Sequence, residues 1–320
     1  MLPILGIDVA KATIQVSLQG VTGKRRHKSF GNTTAGHGEL VQWLKKHAGE
    51  LVHACLEATG TYGEAVATAL TDAGHRVSLV NPAAVKAFAQ SQLRRSKTDR
   101  VDADVLVDFC RAHAPAPWTP WPAEVRVLQG LVRRRDAVQD MLIQERNREQ
   151  AGELVAPVRA SLTRHVAVLE AELAALDQQI RDHLDRHPTL RAQRDLLETI
   201  PGIGIATAAR LLAECRDITA FDSARAYAAF AGLVPRECTS GTLRGRARLS
   251  KLGVARLRAA LYFPALAAMR ANPTLRAFSA RLRAAGKHKM VVVAAVMRKL
   301  LHIVYGVLKH RRGFTPSVTA

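Results

Sequence analysis

The spacing of apolar positions changes twice along the chain. Up to about residue 115, short apolar runs alternate with helical patterns, the mark of a mixed α/β layer. Ile4 to Val9 and Thr13 to Leu18 read as two strands around a turn. Residues 38–48 read as an amphipathic helix, Leu51 to Leu56 as a buried strand running into Glu57-Ala-Thr-Gly60, 62–73 as a helix and His75 to Val80 as a strand. Asn81-Pro82 is a break, and 99–112 are helical again. The stretch Ala114-Pro-Ala-Pro-Trp-Thr-Pro-Trp-Pro122 holds four of the 13 prolines and predicts a stiff extended linker.

Beyond it the period is helical. Residues 124–186 are almost free of Gly and Pro, and Leu162, Val166, Leu169, Leu173, Leu176, Ile180 and Leu184 form a heptad-like seam. A helical hairpin or short coiled coil is expected, bending at Gly152 and Pro157. Residues 196–214 look like a helix-hairpin-helix, in which Gly202 and Gly204 allow a tight turn and the second helix's N-terminal N–H groups can hold a phosphate. The expected organisation is therefore a domain over 1–114, a linker over 115–122, a helical hairpin over 123–187 and a mainly helical domain over 188–320.

Composition sharpens this picture. The 320 residues suit two or three domains, and 48% apolar with 23% charged residues is ordinary for a globular chain. No uncharged stretch approaches the ~20 residues of a membrane span. The start lacks a basic n-region, and Cys55, Cys110, Cys215 and Cys238 form no C-x-x-C pair. A cytoplasmic protein with no membrane partner is expected. The net charge of +20 is unevenly placed: residues 241–320 carry 17 basic residues and no acidic one, Glu237 being the last acid. Such a segment repels itself unless a polyanion sits on it, so nucleic acid is the expected partner. Aromatics make up only 5%, so shape and backbone contacts should dominate over base stacking.

Two groups of residues could carry chemistry. Asp8 and Glu57 end apolar strands, and Asp99 and Asp102 share a face of a helix. Carboxylates converging from strand ends and a helix can bind two Mg²⁺ ions that clamp a phosphodiester. The bland alternative is that Ser96-Lys-Thr-Asp99 caps the helix, and that Asp104 and Asp108 form its solvated face. The second group is Ser240-Gly241, followed by Arg244, Arg246, Arg248 and Lys251. A serine attacking a phosphodiester needs cations for the developing charge and a proton acceptor. The arginines supply the first, no histidine lies nearby in sequence for the second, and a turn residue is the simpler reading of Ser240 alone.

Taken in order, Gly6-Ile-Asp8, Glu57-Ala-Thr-Gly60, Ser96-Lys-Thr-Asp99-Arg-Val-Asp102-Ala103, a helical spacer, Ile200-Pro-Gly-Ile-Gly204, Ser240-Gly241, Ser250-Lys-x-Gly253 and Leu257-Arg258 resemble the DEDD transposases of the insertion-sequence 110 family over nearly the whole chain. The resemblance implies an α/β, RNase H-like (RuvC-like) N-terminal domain, a coiled-coil spacer and an all-α transposase domain. Asp8, Glu57, Asp99 and Asp102 would be catalytic and would bind Mg²⁺, or Mn²⁺ in its place. Ser240 would form a phosphoserine link to DNA. Lys97, Gly202, Gly204, Arg244, Arg246, Arg248 and Lys251 are the expected nucleic-acid contacts. The implied partners are donor and target DNA, a structured guide (bridge) RNA, and further copies of the chain in a tetramer with a composite site. The competing readings are a Mg²⁺-dependent Holliday-junction nuclease that forms no covalent intermediate, and a non-enzymatic architectural protein.

Overall fold

The computed structural model describes residues 2–58, 62–92, 98–153, 155–215, 218–236, 239–240, 243–244 and 248–316. The chain divides into two compact units, Met1–Pro120 and Trp121–Ala320.

The first unit is a mixed α/β layer. Its elements are β1 (Ile4–Val9), β2 (Thr13–Gln19), β3 (Arg25–Gly31), α1 (Thr34–Ala48), β4 (His53–Glu57), α2 (Tyr62–Asp72), β5 (Arg76–Val80), α3 (Pro82–Ser91) and α4 (Asp99–His113). The sheet order is β3-β2-β1-β4-β5. β1, β2 and β3 pair antiparallel, whereas β1, β4 and β5 run parallel. Alternation along the strands divides the core. Leu5, Ile7, Ala54 and Leu56 face one way, into a cluster with Leu40 and Leu44 of α1 and Val66 and Leu70 of α2. Cys55 and Val80 face the other way, into Val85 of α3 and Leu106, Phe109 and Cys110 of α4.

Two elements of this unit do not follow from the apolar pattern. β3 is an edge strand whose residues are mostly exposed and basic, with Phe30 its buried anchor; charge on an edge strand discourages unwanted pairing and hides the period-2 signal. Asn81-Pro82, read as a break, starts α3: Asn81 Oδ1 accepts from the Ala83 N–H at 2.9 Å and Pro82 holds the first helical position. The proline-rich stretch is tied to β5. The Trp118 N–H donates to the Val77 carbonyl at 2.7 Å, and Ser78 Oγ lies 3.0 and 2.9 Å from the carbonyls of Pro115 and Ala116.

The second unit is mainly helical: α5 (Ala123–Glu149), α6 (Ala156–Arg186), α7 (Pro188–Glu198), α8 (Ile205–Glu214), a 3₁₀ turn at Ile218–Ala220, α9 (Ala224–Phe230), α10 (Ala255–Ala260), α11 (Tyr262–Ala271), α12 (Pro273–Ala284) and α13 (Lys289–His310). Between α9 and α10, the described residues include the two-residue strands β6 (Pro235–Arg236), β7 (Thr239–Ser240), β8 (Leu243–Arg244) and β9 (Arg248–Leu249). α5 and α6 lie antiparallel along Val138, Leu142, Leu169 and Leu176, with Arg134–Glu172 and Arg146–Glu170 pairs on the outside. The rest packs around α13, which buries Val292, Val296, Leu300, Leu301 and Val304. By length and composition α13 could cross a membrane, although the sequence pattern suggested no such segment; most of that apolar length is buried as the core helix of its unit.

Candidate functional site

In the first unit, strand register carries two of the four carboxylates to one place. β1 and β4 are parallel with Ile7 opposite Leu56, so Asp8 and Glu57 come next in line at the C-terminal ends of adjacent strands. Alternation sets their direction. Asp8 shares its face with Gly6, and Glu57 shares its face with Cys55, which packs on α4.

α4 approaches that face closely. A Cβ on Gly6 would lie 2.1 Å from the Ala103 carbonyl oxygen, so glycine is what lets the helix sit on the strand. The helix runs against β1. Asp104 meets Ser17, whose strand partner is Gly6, whereas Cys110 Sγ lies 3.4 Å from Nδ1 of His53, whose partner is Ile4. From Ala103 back to Asp99 the helix rises about 6 Å. From Gly6 forward to Asp8 the strand covers about 6.6 Å. The first turn of α4 therefore comes level with the ends of β1 and β4, bringing Asp99 and Asp102 to the end of the sheet where Asp8 and Glu57 stand. Thr98 starts that turn, its Oγ1 accepting from the Val101 N–H at 3.3 Å. Asp99 is exposed, while Asp8, Glu57 and Asp102 are half-buried.

The donor set is made of carboxylate oxygens alone, which suits a hard divalent cation such as Mg²⁺. Among the described residues, however, no three His, Cys, Asp or Glu side chains are gathered closely enough to hold a metal ion. The fold brings the four to one sheet end without drawing them into a closed ligand set.

Asp104 and Asp108 are not a solvated face. Asp104 accepts from Ser17 Oγ at 2.6 Å, lies 2.8 Å from His27 Nε2 and pairs with Arg25 at 3.3 Å; Arg25 also pairs with Asp108. Burial alone would push the Asp104 carboxyl up, but the hydrogen bonds from Ser17 and His27, with the charges of His27 and Arg25, outweigh it and hold it below the ordinary carboxylate value. These two acids fasten α4 to β2 and β3.

In the second unit Ser240 lies in an arm of short ladders. β6 pairs with β9 as its stem, and Thr239–Ser240 pairs with Leu243–Arg244 within it. Basic and polar residues without apolar alternation hide these strands from pattern reading. For Ser240, Arg244 and Arg248 the described structure is the backbone; Lys97 and Arg246 fall outside the described residues. Lys251 is exposed at the foot of the arm with φ +56°.

The foot is built by residues present in the motif but given no role from sequence. Arg258 Nη1 donates to the carbonyls of Ala231 and Lys251 at 3.1 and 3.2 Å, and the N–H groups of Ser250 and Val254 bond to the carbonyls of Val234 and Phe230 at 2.8 Å each. Gly253 has φ +143°, and a Cβ there would lie 2.3 Å from the Phe230 carbonyl oxygen. The signal was the spacing itself: Gly253 and Arg258 stand where a closing turn and a cation for its carbonyls are required.

Gly202 and Gly204 differ in kind. Gly202 has φ +102°, and its Cα backs onto Ala268 so closely that a Cβ would come within 2.8 Å; its job here is to pack the 199–204 connection against α11. Gly204 faces open space and precedes α8 with no side-chain cap, leaving the first N–H groups of that helix available. A groove of about 800 Å³ borders the arm, formed by Pro235 and Leu249 of the stem together with residues of α12 and α13.

Sequence comparison places relatives along nearly the whole chain. Residues 5–152 match the DEDD transposase family of IS110, and residues 194–280 match the transposase IS116/IS110/IS902 family. The chain is 33% identical to the pilin gene-inverting protein of Moraxella bovis, over 98% of each chain. It is 33% identical to the protein of the same name from Moraxella lacunata, again over 98% of each. It is 26% identical to the transposase for insertion sequence element IS1328 of Yersinia enterocolitica, over 80% of each.

Proposed function

This chain belongs to the IS110 family of transposases and is a DNA recombinase, and from that premise we propose that it cuts and rejoins DNA strands with Ser240 as nucleophile and Asp8, Glu57, Asp99 and Asp102 as its acidic site. What supports this reading is that parallel register sets Asp8 and Glu57 at neighbouring strand ends, and that α4, whose first turn carries Asp99 and Asp102, packs on the same sheet face at Gly6. The order β3-β2-β1-β4-β5, with three antiparallel strands followed by two parallel ones, supports an RNase H-like assignment of the first unit.

The four carboxylates would hold Mg²⁺, which when bound supplies charge neutralisation at a phosphodiester. Ser240 Oγ attacks phosphorus, a phosphoserine bond forms, and one strand oxygen leaves with the proton as a free hydroxyl. A hydroxyl of a second strand then attacks the phosphoserine, which restores a diester and returns the serine hydroxyl. No phosphate bond energy is lost between the steps, so excision and integration need no external energy source. Arg244, Arg246, Arg248 and Lys251 neutralise the charge that develops around the serine. Donor and target DNA are the substrates, a structured RNA of the element selects them by pairing, and the working form is a tetramer. Likeness along the full length to gene-inverting proteins supports reciprocal strand exchange over simple hydrolysis.

The test is a search for the intermediate. The protein is expressed with its native flanking DNA, isolated with Mg²⁺, and its Ser240 peptide is weighed. A nucleotide adduct in the wild type, absent from Asp8→Ala, is expected. Nicking that disappears in Asp8→Ala, with no adduct in the wild type, would instead make the protein a hydrolytic nuclease.

A further inference from the structure

The second unit contains a site that the strand-transfer reading does not use. The groove beside the Ser240 stem is concave, about 800 Å³, and within the range of small-molecule pockets. Its walls are largely apolar and include Tyr262 of α11, Phe278 of α12, and Met290 and Met297 of α13. Arg298, Lys299 and His302, which follow on α13, also line it. No carboxylate lines it among the described residues. An aromatic and thioether interior with cations at its edge matches one kind of chemical group: a flat apolar ring system carried on an anionic backbone.

We propose that this groove takes one unpaired nucleobase of the bound nucleic acid, with the adjoining phosphate on Arg298 and Lys299. The proposal rests on the chain acting on nucleic acid and adds to it a place where a single nucleotide leaves the stack beside the arm that bears Ser240. Charge argues for this occupant over a segment of protein. Most of the groove belongs to a stretch with 17 basic residues and no acidic one from residue 241 on, so a polyanion is favoured there. His302 adds an independent observation. Its Nε2 is buried and has no hydrogen-bond partner among the described residues. Burial, and then the charges of Arg298, Lys299 and Arg225, push the imidazole below its ordinary value. An imidazole kept neutral adds no charge to the lining, which leaves Arg298 and Lys299 as the groove's cations. The scarcity of aromatics elsewhere fits a single base seat rather than a stacking platform.

The experiment uses the full chain and two fluorescent 12-nucleotide probes, oligodeoxythymidine and an abasic strand with the same phosphates. The wild type is expected to bind the thymidine probe roughly tenfold more tightly than the abasic one. Phe278→Ala and Tyr262→Ala should remove that preference and leave abasic binding in place, which also shows that these variants fold. Arg298→Ala should weaken both probes alike. With 5-iodouracil in the probe, photocrosslinks on the wild type should map to peptides containing Tyr262, Phe278, Met290 or His302. Equal binding of the two probes, or the lack of any crosslink within the groove, overturns the proposal. So does a Val291→Glu protein that loses an oligomer in sedimentation but keeps the base preference, since the groove would then be a subunit interface. Ser240→Ala should retain both the preference and the crosslinks, so failure of the serine chemistry and failure of the base seat give different results.

Discussion

At the scale of single residues, the proposed acidic site depends on the absence of a side chain at Gly6. Gly6 lets the Ala103 carbonyl sit where a Cβ would be, and the position of Asp99 and Asp102 relative to Asp8 follows from that contact. Gly6→Ala is expected to cost about 1–3 kcal/mol by overpacking. Cleavage should fall further than that loss accounts for, because α4 is displaced from β1. Urea unfolding and nicking assays on one preparation separate the two effects, and a variant that unfolds earlier but cleaves at the wild-type rate would refute the link. Asp104 gives a second prediction. Its carboxyl is held below its ordinary value, so its stabilisation is fully present above about pH 4, its unfolded value, and is lost as pH falls through the folded value. Asp104→Asn should lower stability at pH 7 by about 1–3 kcal/mol, because the bonds from Ser17 and His27 lose their charged acceptor and Arg25 loses an ion-pair partner. Thermal unfolding of the two proteins should then converge as pH drops below 4. Equal stabilities at pH 7 would mean that this network does not hold α4.

At the scale of elements, what the sequence reveals tracks what an element buries. β1, β4, β5 and α4 bury apolar faces and were legible within a residue or two. The seam from Leu162 to Leu184 likewise buries Leu169, Leu176, Ile180 and Leu184 in α6. β3 buries little, and the ladders β6 to β9 are only two residues long each and rich in Arg, so period carries no information about them. α3 was hidden differently, because Asn81-Pro82 stops one pattern and starts another. The four carboxylates and Ser240 were legible only as an ordered set. Their spacing did not reveal that Asp104 and Asp108 serve packing, nor that Arg258 and Gly253 close the foot of the serine arm. The α5–α6 pair gives a prediction at this scale. Leu142→Ala should cost about 2–5 kcal/mol because Leu142 is 2% exposed in the seam. Glu172→Ala removes an ion pair whose partners are 52% and 38% exposed, and should cost no more than about 1 kcal/mol. Denaturant melts of the two variants decide it; comparable losses would mean that ion pairs rather than apolar contacts hold these helices together.

For the whole molecule, charge is divided as labour is. The first unit holds the four carboxylates proposed as the acidic site, and the stretch of the second unit from residue 241 on holds 17 basic residues and no acidic one. Counterion release makes an attraction of that stretch for nucleic acid measurable. A protein meeting six to ten duplex phosphates loses roughly 10³- to 10⁵-fold in affinity between 50 and 200 mM salt. Binding of a DNA duplex by the full chain should show a slope of this size. Each exposed cation removed from the second unit, Arg270→Ala or Arg276→Ala, should flatten it by about 0.9 if that residue meets a phosphate. Removing Lys45 and Lys46, exposed on α1, should leave it unchanged. Anisotropy titrations across salt concentrations supply the slopes. Equal flattening by both sets would assign the polyanion to the whole surface and sever the link between the 17 uncompensated cations and binding. A selective effect would place the affinity in the second unit, the unit that also carries Ser240.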